Sequence, residues 1–264
     1  MLIHSLDPII FKIGFITIRW YSLAYILGIL IGWWLGKKII TFKSKINNRE
    51  TLSKNFDDLI TYLIISIIIG GRLGYVLFYN FEYYIKNPFD IIKIWEGGMS
   101  FHGGLIGVIV GVLFFCDFKK NFSLIYLDVI ACVAPIGLFF GRIANFINSE
   151  LFGKPSSLPW SIIFPKIDNV PRHPSQLYEA MLEGVVLFLI MLFLTFKIKL
   201  NNGVSASIFL VFYGVFRIFS EYFREPDVQV GYIFNIFSLG TLLSFIMVIC
   251  GLVMAINLAK NEKQ

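Results

Sequence analysis

Long apolar runs separated by short polar segments occupy most of the 264-residue chain. The runs are about 20 residues long, the length at which a helix crosses a hydrocarbon core of roughly 30 Å. They lack the short alternating strands of an outer-membrane barrel. The pattern predicts an all-α integral membrane protein with seven transmembrane helices in a single polytopic membrane domain, residues 1–264. We place the spans at approximately 18–35, 57–79, 99–116, 124–146, 177–196, 204–223 and 233–256.

Composition and charge agree with this fold class. The chain is 57% hydrophobic and only 15% charged, which leaves too few charges to cover a water-facing surface. Lysine and arginine concentrate after the first, third and fifth spans and in the carboxyl-terminal tail, and these segments should face the cytoplasm. The amino terminus is then outside and the carboxyl terminus cytoplasmic. This bias accounts for the net charge of +6, which therefore does not indicate nucleic-acid binding.

Polar residues inside the spans fall in one layer. A single arginine at a helix end can snorkel to the lipid headgroups. Repetition over five helices favours a site instead, and because arginine presents a rigid fork of donors, the site should bind the phosphate of a phospholipid in the outer leaflet. The residues of this layer are Tyr25, Arg72, His102, Arg142, Asn145, Glu150, Arg217 and Glu221.

His102, the single histidine within a predicted span, follows Ser100 and Phe101. Such a histidine can be a hydrogen-bonded structural residue. The glycines at 103, 107 and 111 recur every four residues, however, which favours close packing of another helix. Tight packing would hold the imidazole in one pose, as a general base requires.

The connecting segments add further candidates. The loop 147–176, predicted to be external, carries five of the nine prolines and ends at Gln176, which together with Glu179 can line the site or cap the fifth helix. The segments 6–20 and 80–98 are rich in aromatic residues, typical of interfacial arms or of a plain aromatic belt. We expect all three cysteines to be buried. No ligand spacing indicates a metal or another cofactor, although magnesium held by lipid phosphate alone is an alternative.

Five motifs, in order along nearly the whole chain, together resemble the prolipoprotein diacylglyceryl transferase family of bacterial inner-membrane enzymes. Any one of them alone would be weak, and we find no departure at these positions. The motifs are GGRLGY from Gly70, SFHGGLIG from Ser100, GRIANFINSELFG from Gly141, RHPSQLYEA from Arg172 and YGVFRIFSEYFREPD from Tyr213.

The resemblance implies transfer of the sn-1,2-diacylglyceryl group from phosphatidylglycerol to the lipobox cysteine thiol of a preprolipoprotein, with release of glycerol phosphate. His102 would be the base or position it, and Arg142 and Arg217 would clamp the phosphate. A tyrosine or a phosphate oxygen is the alternative base. The remaining candidates would contact the headgroup (Tyr25, Arg72, Asn145 and Tyr213) or support the site (Glu150, Gly153, Gln176 and Glu221, with the two glutamates holding the arginines).

Two rival functions use the same layer of polar residues. A transporter or flippase of anionic lipid would place its site near the midplane between repeated halves, whereas seven spans do not divide into halves. A lipid-binding chaperone or receptor would explain the arginines but gives His102 no role.

Overall fold

The computed structural model describes residues 2–14, 16–43, 49–117, 120–198, 200–227, 229–233 and 235–261. Within these ranges a π-helical segment, Ala180–Val186, joins α6 to α7, and two 3₁₀ turns, Pro88–Ile92 and Ile94–Glu96, follow α3. The α-helices are α1 (Trp20–Lys43), α2 (Arg49–Phe78), α3 (Phe81–Lys86), α4 (Phe101–Phe115), α5 (Lys120–Asn148), α6 (Ser175–Glu179), α7 (Leu187–Lys197), α8 (Val204–Glu221) and α9 (Leu239–Asn261).

Six helices of the described ranges are long and apolar enough to cross a membrane: α1, α2, α5, the continuous rod from α6 to α7, α8 and α9. The chain is therefore a helical, multi-pass membrane protein. The expected third span is α4, an apolar helix of 15 residues. At 1.5 Å per residue it is shorter than a hydrocarbon core of roughly 30 Å. The count of seven spans and the orientation stay predictions.

Several helix ends differ from the predicted spans. The first span was expected to end at residue 35 and the second to begin at 57, but α1 ends at Lys43 and α2 begins at Arg49. Polar residues continue these helices because helical hydrogen bonds join backbone groups. Two of the polar side chains form an ion pair, with Lys37 Nζ 2.9 Å from a carboxylate oxygen of Asp57. The basic residues Lys45, Lys119, Lys199 and Lys263 of the charge argument lie outside the described ranges.

Short strands lie before α1 and between later helices, and the apolar pattern did not predict them. They are β1 (Leu2–Ile3), β2 (Ile9–Ile13), β3 (Ile16–Arg19), β4 (Ile162–Ile163), β5 (Pro171–Arg172), β6 (Tyr232–Ile233) and β7 (Phe237–Ser238). Strands β2 and β3 form an antiparallel hairpin within the expected arm 6–20, while β1 pairs with β4 in parallel and β4 with β5 antiparallel. The pairing of β6 with β7 moves the start of the last helix from the expected residue 233 to Leu239.

The chain folds as two compact units, the first comprising Met1–Gly36, Ile130–Asp227 and Gly231–Gln264 and the second Lys37–Val129 and Val228–Val230. The single membrane domain expected from the sequence stays a prediction. In the first unit α8 packs along α9, and a Cβ added at Gly251 of α9 would lie 2.8 Å from the carbonyl oxygen of Ser207. Glycine thus lets these two helix backbones approach closely.

The second unit is built on the contact of α2 with α4. A Cβ at Gly70 would lie 2.5 Å from the carbonyl oxygen of Gly103, and one at Gly74 would lie 2.6 Å from Cα of the same residue. No side chain fits between the two helices at this level, so the helices touch backbone to backbone. The close packing of another helix against α4, predicted from the glycine repeat, is therefore present, and the other helix is α2.

We predict that Gly103→Ala destabilises the protein by about 1–3 kcal/mol, since overpacked cores cost that much. The added methyl would overlap the carbonyl oxygen of Gly70 and lie 2.7 Å from Cα of Gly74. The midpoint of thermal unfolding in detergent measures the effect. Gly104→Ala is the matched control, because its methyl would meet nothing nearer than 3.8 Å. Equal midpoints for the two variants would contradict the packing argument.

Candidate active site

Two arginines of the first unit converge on two buried glutamates. Arg142 of α5 places Nε 2.8 Å from Glu179 Oε2, and its Nη2 lies 3.1 Å from Glu183 Oε2. Arg217 of α8 places Nη1 2.9 Å from the same Glu179 oxygen and 3.6 Å from Glu183 Oε1. One carboxylate oxygen therefore bridges two guanidinium groups. Both glutamates have no solvent-exposed surface, and a buried carboxylate is stable only when it is paired in this way.

The π-helical segment and a glycine bring these carboxylates into place. Glu179 ends α6 and Glu183 lies within the π-helical turn, a geometry that is rare and often found at functional sites. The neighbouring Gly184 has no room for a side chain, since a Cβ would lie 2.7 Å from Cβ of Phe139 on α5. The close approach to α5 is what allows Glu183 to reach Arg142 from 41 residues away.

The end of α8 extends the ion network. Glu221 pairs with Arg217 and with Nη1 of Arg224 at 3.2 Å, and Ser238 donates its hydroxyl to Glu221 at 2.7 Å. Nη2 of Arg224 lies 2.7 Å from Asp227. Glu221 thus contacts Arg217, and its supporting role in the site stays a prediction.

Tyr213, one turn before Arg217, is fully buried and stacks on Phe209 with ring centroids 5.8 Å apart. It lies within electrostatic reach of both arginines and of Glu183. The headgroup contact expected of Tyr213 from the resemblance stays a prediction.

A second group of predicted site residues lies in the later part of the motif that begins at Gly141. Asn145 donates to the hydroxyl of Tyr21 at 2.6 Å and to Glu150 at 3.3 Å. Glu150 also accepts from Asn148 at 3.4 Å, and its backbone carbonyl accepts from Gln176 at 2.7 Å. The expected role of Glu150 in holding an arginine is therefore corrected: its side chain holds asparagines, because Glu179 and Glu183 occupy the arginines.

Tyr25 and Gly153 lie at the edges of this group. Tyr25 is 60% exposed, and its ring centroid is 5.6 Å from that of Tyr21. Gly153 packs against backbone: a Cβ there would overlap the carbonyl oxygen of His173 and lie 2.9 Å from that of Phe223. The φ of Gly153 does not require glycine, whereas the lack of space for a side chain does.

The proline-rich loop is fastened by Arg172. Its guanidinium binds Asp168 at 2.5 Å and Glu225 at 3.3 Å and donates to the carbonyl of Gly153 at 3.1 Å. Hydrogen bonding from Arg172 holds the pKa of the Asp168 carboxyl below its usual value. The loop is thus tied to the residue that ends the GRIANFINSELFG motif.

His102 and Arg72 belong to the second unit. His102 is 8% exposed and stands in the first turn of α4, where the Ser100 hydroxyl caps the helix by accepting from the backbone of Gly103 at 3.2 Å. The proposed meeting of His102 with Arg142 and Arg217 stays a prediction.

Arg72 binds backbone carbonyl oxygens with every donor it has. Nε donates to Ile91 at 2.8 Å, and the two Nη groups donate to Asp90, Lys93, Gly97 and Gly98 at 2.5–3.2 Å. A guanidinium has five N–H donors, and here all five are used. Arg72 therefore fastens the segment 90–98 to α2, which leaves it without a donor for lipid phosphate and corrects the role expected from sequence.

The sequence patterns did not point to Glu183. For Glu179 they left two roles open, lining the site or capping the fifth helix. One signal was available: Gln176, Glu179 and Glu183 follow each other at helical spacing along an apolar span. An acidic residue at membrane depth requires a partner, and each arginine of the neighbouring spans also requires one. Among the described residues no three His, Cys, Asp or Glu side chains gather as a metal site. The expectation of no metal stays a prediction.

Comparison with known proteins identifies the family. A family model described as prolipoprotein diacylglyceryl transferase matches residues 8–257, a range that contains all five motifs. The chain belongs to this family. Family membership confirms the resemblance inferred from the motifs.

Individual members are similar over nearly their whole length. A Rickettsia felis protein named phosphatidylglycerol–prolipoprotein diacylglyceryl transferase is 52% identical over 255 residues, which are 95% of this chain and 96% of the relative. A protein of the same name from Wolbachia pipientis wMel is 48% identical over 267 residues, 98% of each chain.

We predict that Gly240→Ala displaces Glu221 from Arg217 and lowers the free energy of unfolding by about 1.5–3 kcal/mol, the value of one hydrogen bond to a charged group. The added methyl would lie 2.6 Å from Glu221 Oε1. Gly137→Ala, on α5 of the same unit, is the matched control because nothing lies within 4 Å of its methyl. Thermal unfolding of the two variants in detergent gives the comparison. A Gly240→Ala protein as stable as the control would refute the contact.

We also predict that Arg72→Lys raises amide hydrogen exchange in residues 90–98 about 10–100-fold, because lysine has three donors in place of five. Exchange followed by mass spectrometry measures it peptide by peptide. Arg49→Lys, at an exposed position that begins α2, is the control and should leave this segment unchanged. Exchange in 90–98 that is equal in both variants would contradict the fastening role.

Proposed function

We propose that this chain transfers the diacylglyceryl group of phosphatidylglycerol to a prolipoprotein, as the names of its relatives state of them. The family match over residues 8–257 is the observation that carries this proposal. The paired arginines add independent chemical support, since guanidinium groups bind phosphate oxygens bidentately.

In the proposed reaction the acceptor is the thiol of the lipobox cysteine in the preprolipoprotein. Its sulfur attacks the glyceryl carbon that carries the phosphate ester, a C–S bond forms, and the C–O bond to phosphate breaks. The bonding pair leaves on the phosphate oxygen, so glycerol phosphate is released. Because the thiol, with a usual pKa of about 8.5, must lose its proton, a base is needed, and the proton can finally reside on the phosphate.

Arg142 and Arg217 are the residues we assign to the phosphate. Arg142 uses Nε and Nη2 for the glutamates, while its Nη1 has no hydrogen-bond partner among the described residues. A preformed pair of guanidinium groups would stabilise the negative charge that grows on the leaving oxygen without reorganising.

The remaining assignments follow the positions found above. Tyr25 and Asn145 contact the headgroup, and Gln176, Glu150, Gly153 and Glu221 hold the site. Tyr213, expected from sequence to contact the headgroup, has no exposed surface and is assigned to the surroundings of the arginines instead. His102 is the base, with a tyrosine or a phosphate oxygen as the alternative. Arg72 is assigned to the loop rather than to the lipid. No cofactor takes part.

The membrane placement we propose has α4 as a seventh span, the amino terminus outside and the carboxyl terminus cytoplasmic in the bacterial inner membrane. The site then opens to the outer leaflet, where phosphatidylglycerol and the signal peptide are both present. The segments 6–20 and 80–98 are interfacial arms in this arrangement. The large exposure of Phe89, Ile92 and Trp95, at 84%, 71% and 75%, supports contact of the second arm with headgroups.

The assay is incubation of the purified protein with radiolabelled phosphatidylglycerol and a lipobox peptide, followed by detection of the thioether. We predict product from the wild type and a loss of at least about 100-fold from Arg142→Ala and Arg217→Ala. Arg49→Ala, at an exposed position, is the control and keeps its activity.

A pH–rate profile of His102→Gln tests the base. If His102 is the base, the variant loses at least about 100-fold and the acidic limb of the profile with it. A profile of wild-type shape would assign the proton to another group. Wild-type protein that binds phosphatidylglycerol without forming product would indicate a lipid-binding protein or a transporter.

A further inference from the structure

The arginine pair has an electrostatic balance that the proposed reaction alone does not explain. Arg142 and Arg217 face two carboxylates, Glu179 and Glu183, so the group of four carries no net charge when all are ionised. The groups around it add one net negative charge when ionised, because Arg224 pairs with two carboxylates, Glu221 and Asp227. Tyr213, Ser220 and Ser238 add no charge.

The arginines keep a small exposed surface, and the two glutamates keep none. The side chains of Arg142 and Arg217 retain 11% and 7% of their surface, whereas Glu179 and Glu183 retain none. The carboxylates are therefore more deeply buried than the arginines that they contact. A glutamate without exposed surface acts on a bound phosphate through the arginines that it contacts.

The two glutamates hold the arginines differently. Glu179 Oε2 lies within 2.9 Å of both guanidinium groups and so fixes their separation. The contacts of Glu183 are longer, 3.1 Å to Arg142 and 3.6 Å to Arg217. Loss of the charge of Glu183 would leave both arginines held by Glu179, and Arg217 held also by Glu221.

We infer that Glu183 is a positioning residue that sets the affinity of the arginine pair for phosphate, low enough for the phosphate monoester product to leave. This inference rests on the proposed function for the identity of the ligand. A lipid phosphodiester carries one negative charge and the released monoester up to two, so uncompensated arginines would hold the product most tightly. Binding of that kind retains product without lowering the barrier to reaction.

The test compares Glu183→Gln with the wild type, because glutamine keeps the shape and one acceptor but removes the charge. We expect the inhibition constant of glycerol 1-phosphate to fall about tenfold, since one buried charge near the ligand is removed. The KM for phosphatidylglycerol and kcat should fall together by at least about fivefold. A merely structural role would weaken binding and raise KM.

Three further variants complete the test. Glu183→Asp restores the charge, and its inhibition constant should lie within about threefold of the wild type. Glu179→Gln should weaken glycerol phosphate binding, because the bridging oxygen that fixes both arginines is disturbed. Glu50→Gln removes a charge at an exposed position of α2 and should change nothing.

Thermal unfolding identifies the variants that fold, and Glu183→Ala replaces Glu183→Gln if the latter does not. An inhibition constant in the folded, uncharged variant that is unchanged or higher overturns the inference. The proposed function fails separately, if wild-type protein yields no thioether. Direct binding of radiolabelled glycerol 1-phosphate measures the affinity change in either case.

Discussion

Burial of arginine charge among apolar helices is the constraint on which the first unit depends. A guanidinium cannot lose its charge, so each one that leaves water requires acceptors that the fold itself supplies. Arg142 and Arg217 obtain them from Glu179 and Glu183, which have no exposed surface of their own. The π-helical turn, the side-chain-free face of Gly184 and the bridging oxygen of Glu179 are all parts of one solution to that requirement.

The two units satisfy the same requirement in different ways, and the difference separates Arg72, a structural arginine, from Arg142, which we propose to bind the ligand. Arg72 donates all five of its N–H groups to neutral carbonyl oxygens, so it holds a loop in place and has no donor left for a ligand. Arg142 donates from Nε and Nη2 to carboxylates, and its Nη1 has no hydrogen-bond partner among the described residues. The number of donors left over, rather than the presence of an arginine at membrane depth, indicates where phosphate can bind.

Close approach of helices provides the rigidity that these polar groups need. Gly70, Gly74 and Gly103 bring α2 and α4 into backbone contact, and Ser100 caps α4 beside His102. In the first unit Gly240 leaves room for the Glu221 carboxylate against α9. Van der Waals packing between backbones and small residues replaces the hydrophobic driving force that a membrane does not offer.

The sequence by itself determined the class of protein and its family. Hydropathy is a local sum along the chain, so six long helices could be located from it, although their ends could not: α1 and α2 continue into polar residues and β6 delays α9. The motifs likewise named Arg142, Arg217, Asn145 and Glu221 as functional without reference to partners. Only the tertiary structure decided the partners. Glu183 binds Arg142, which lies 41 residues away in the sequence. Glu150 binds asparagines instead of an arginine, and Arg72 binds the carbonyl oxygens of a loop instead of lipid phosphate. Pairing of buried charge depends on contacts between segments remote in sequence, and no local pattern along the chain encodes which contact forms.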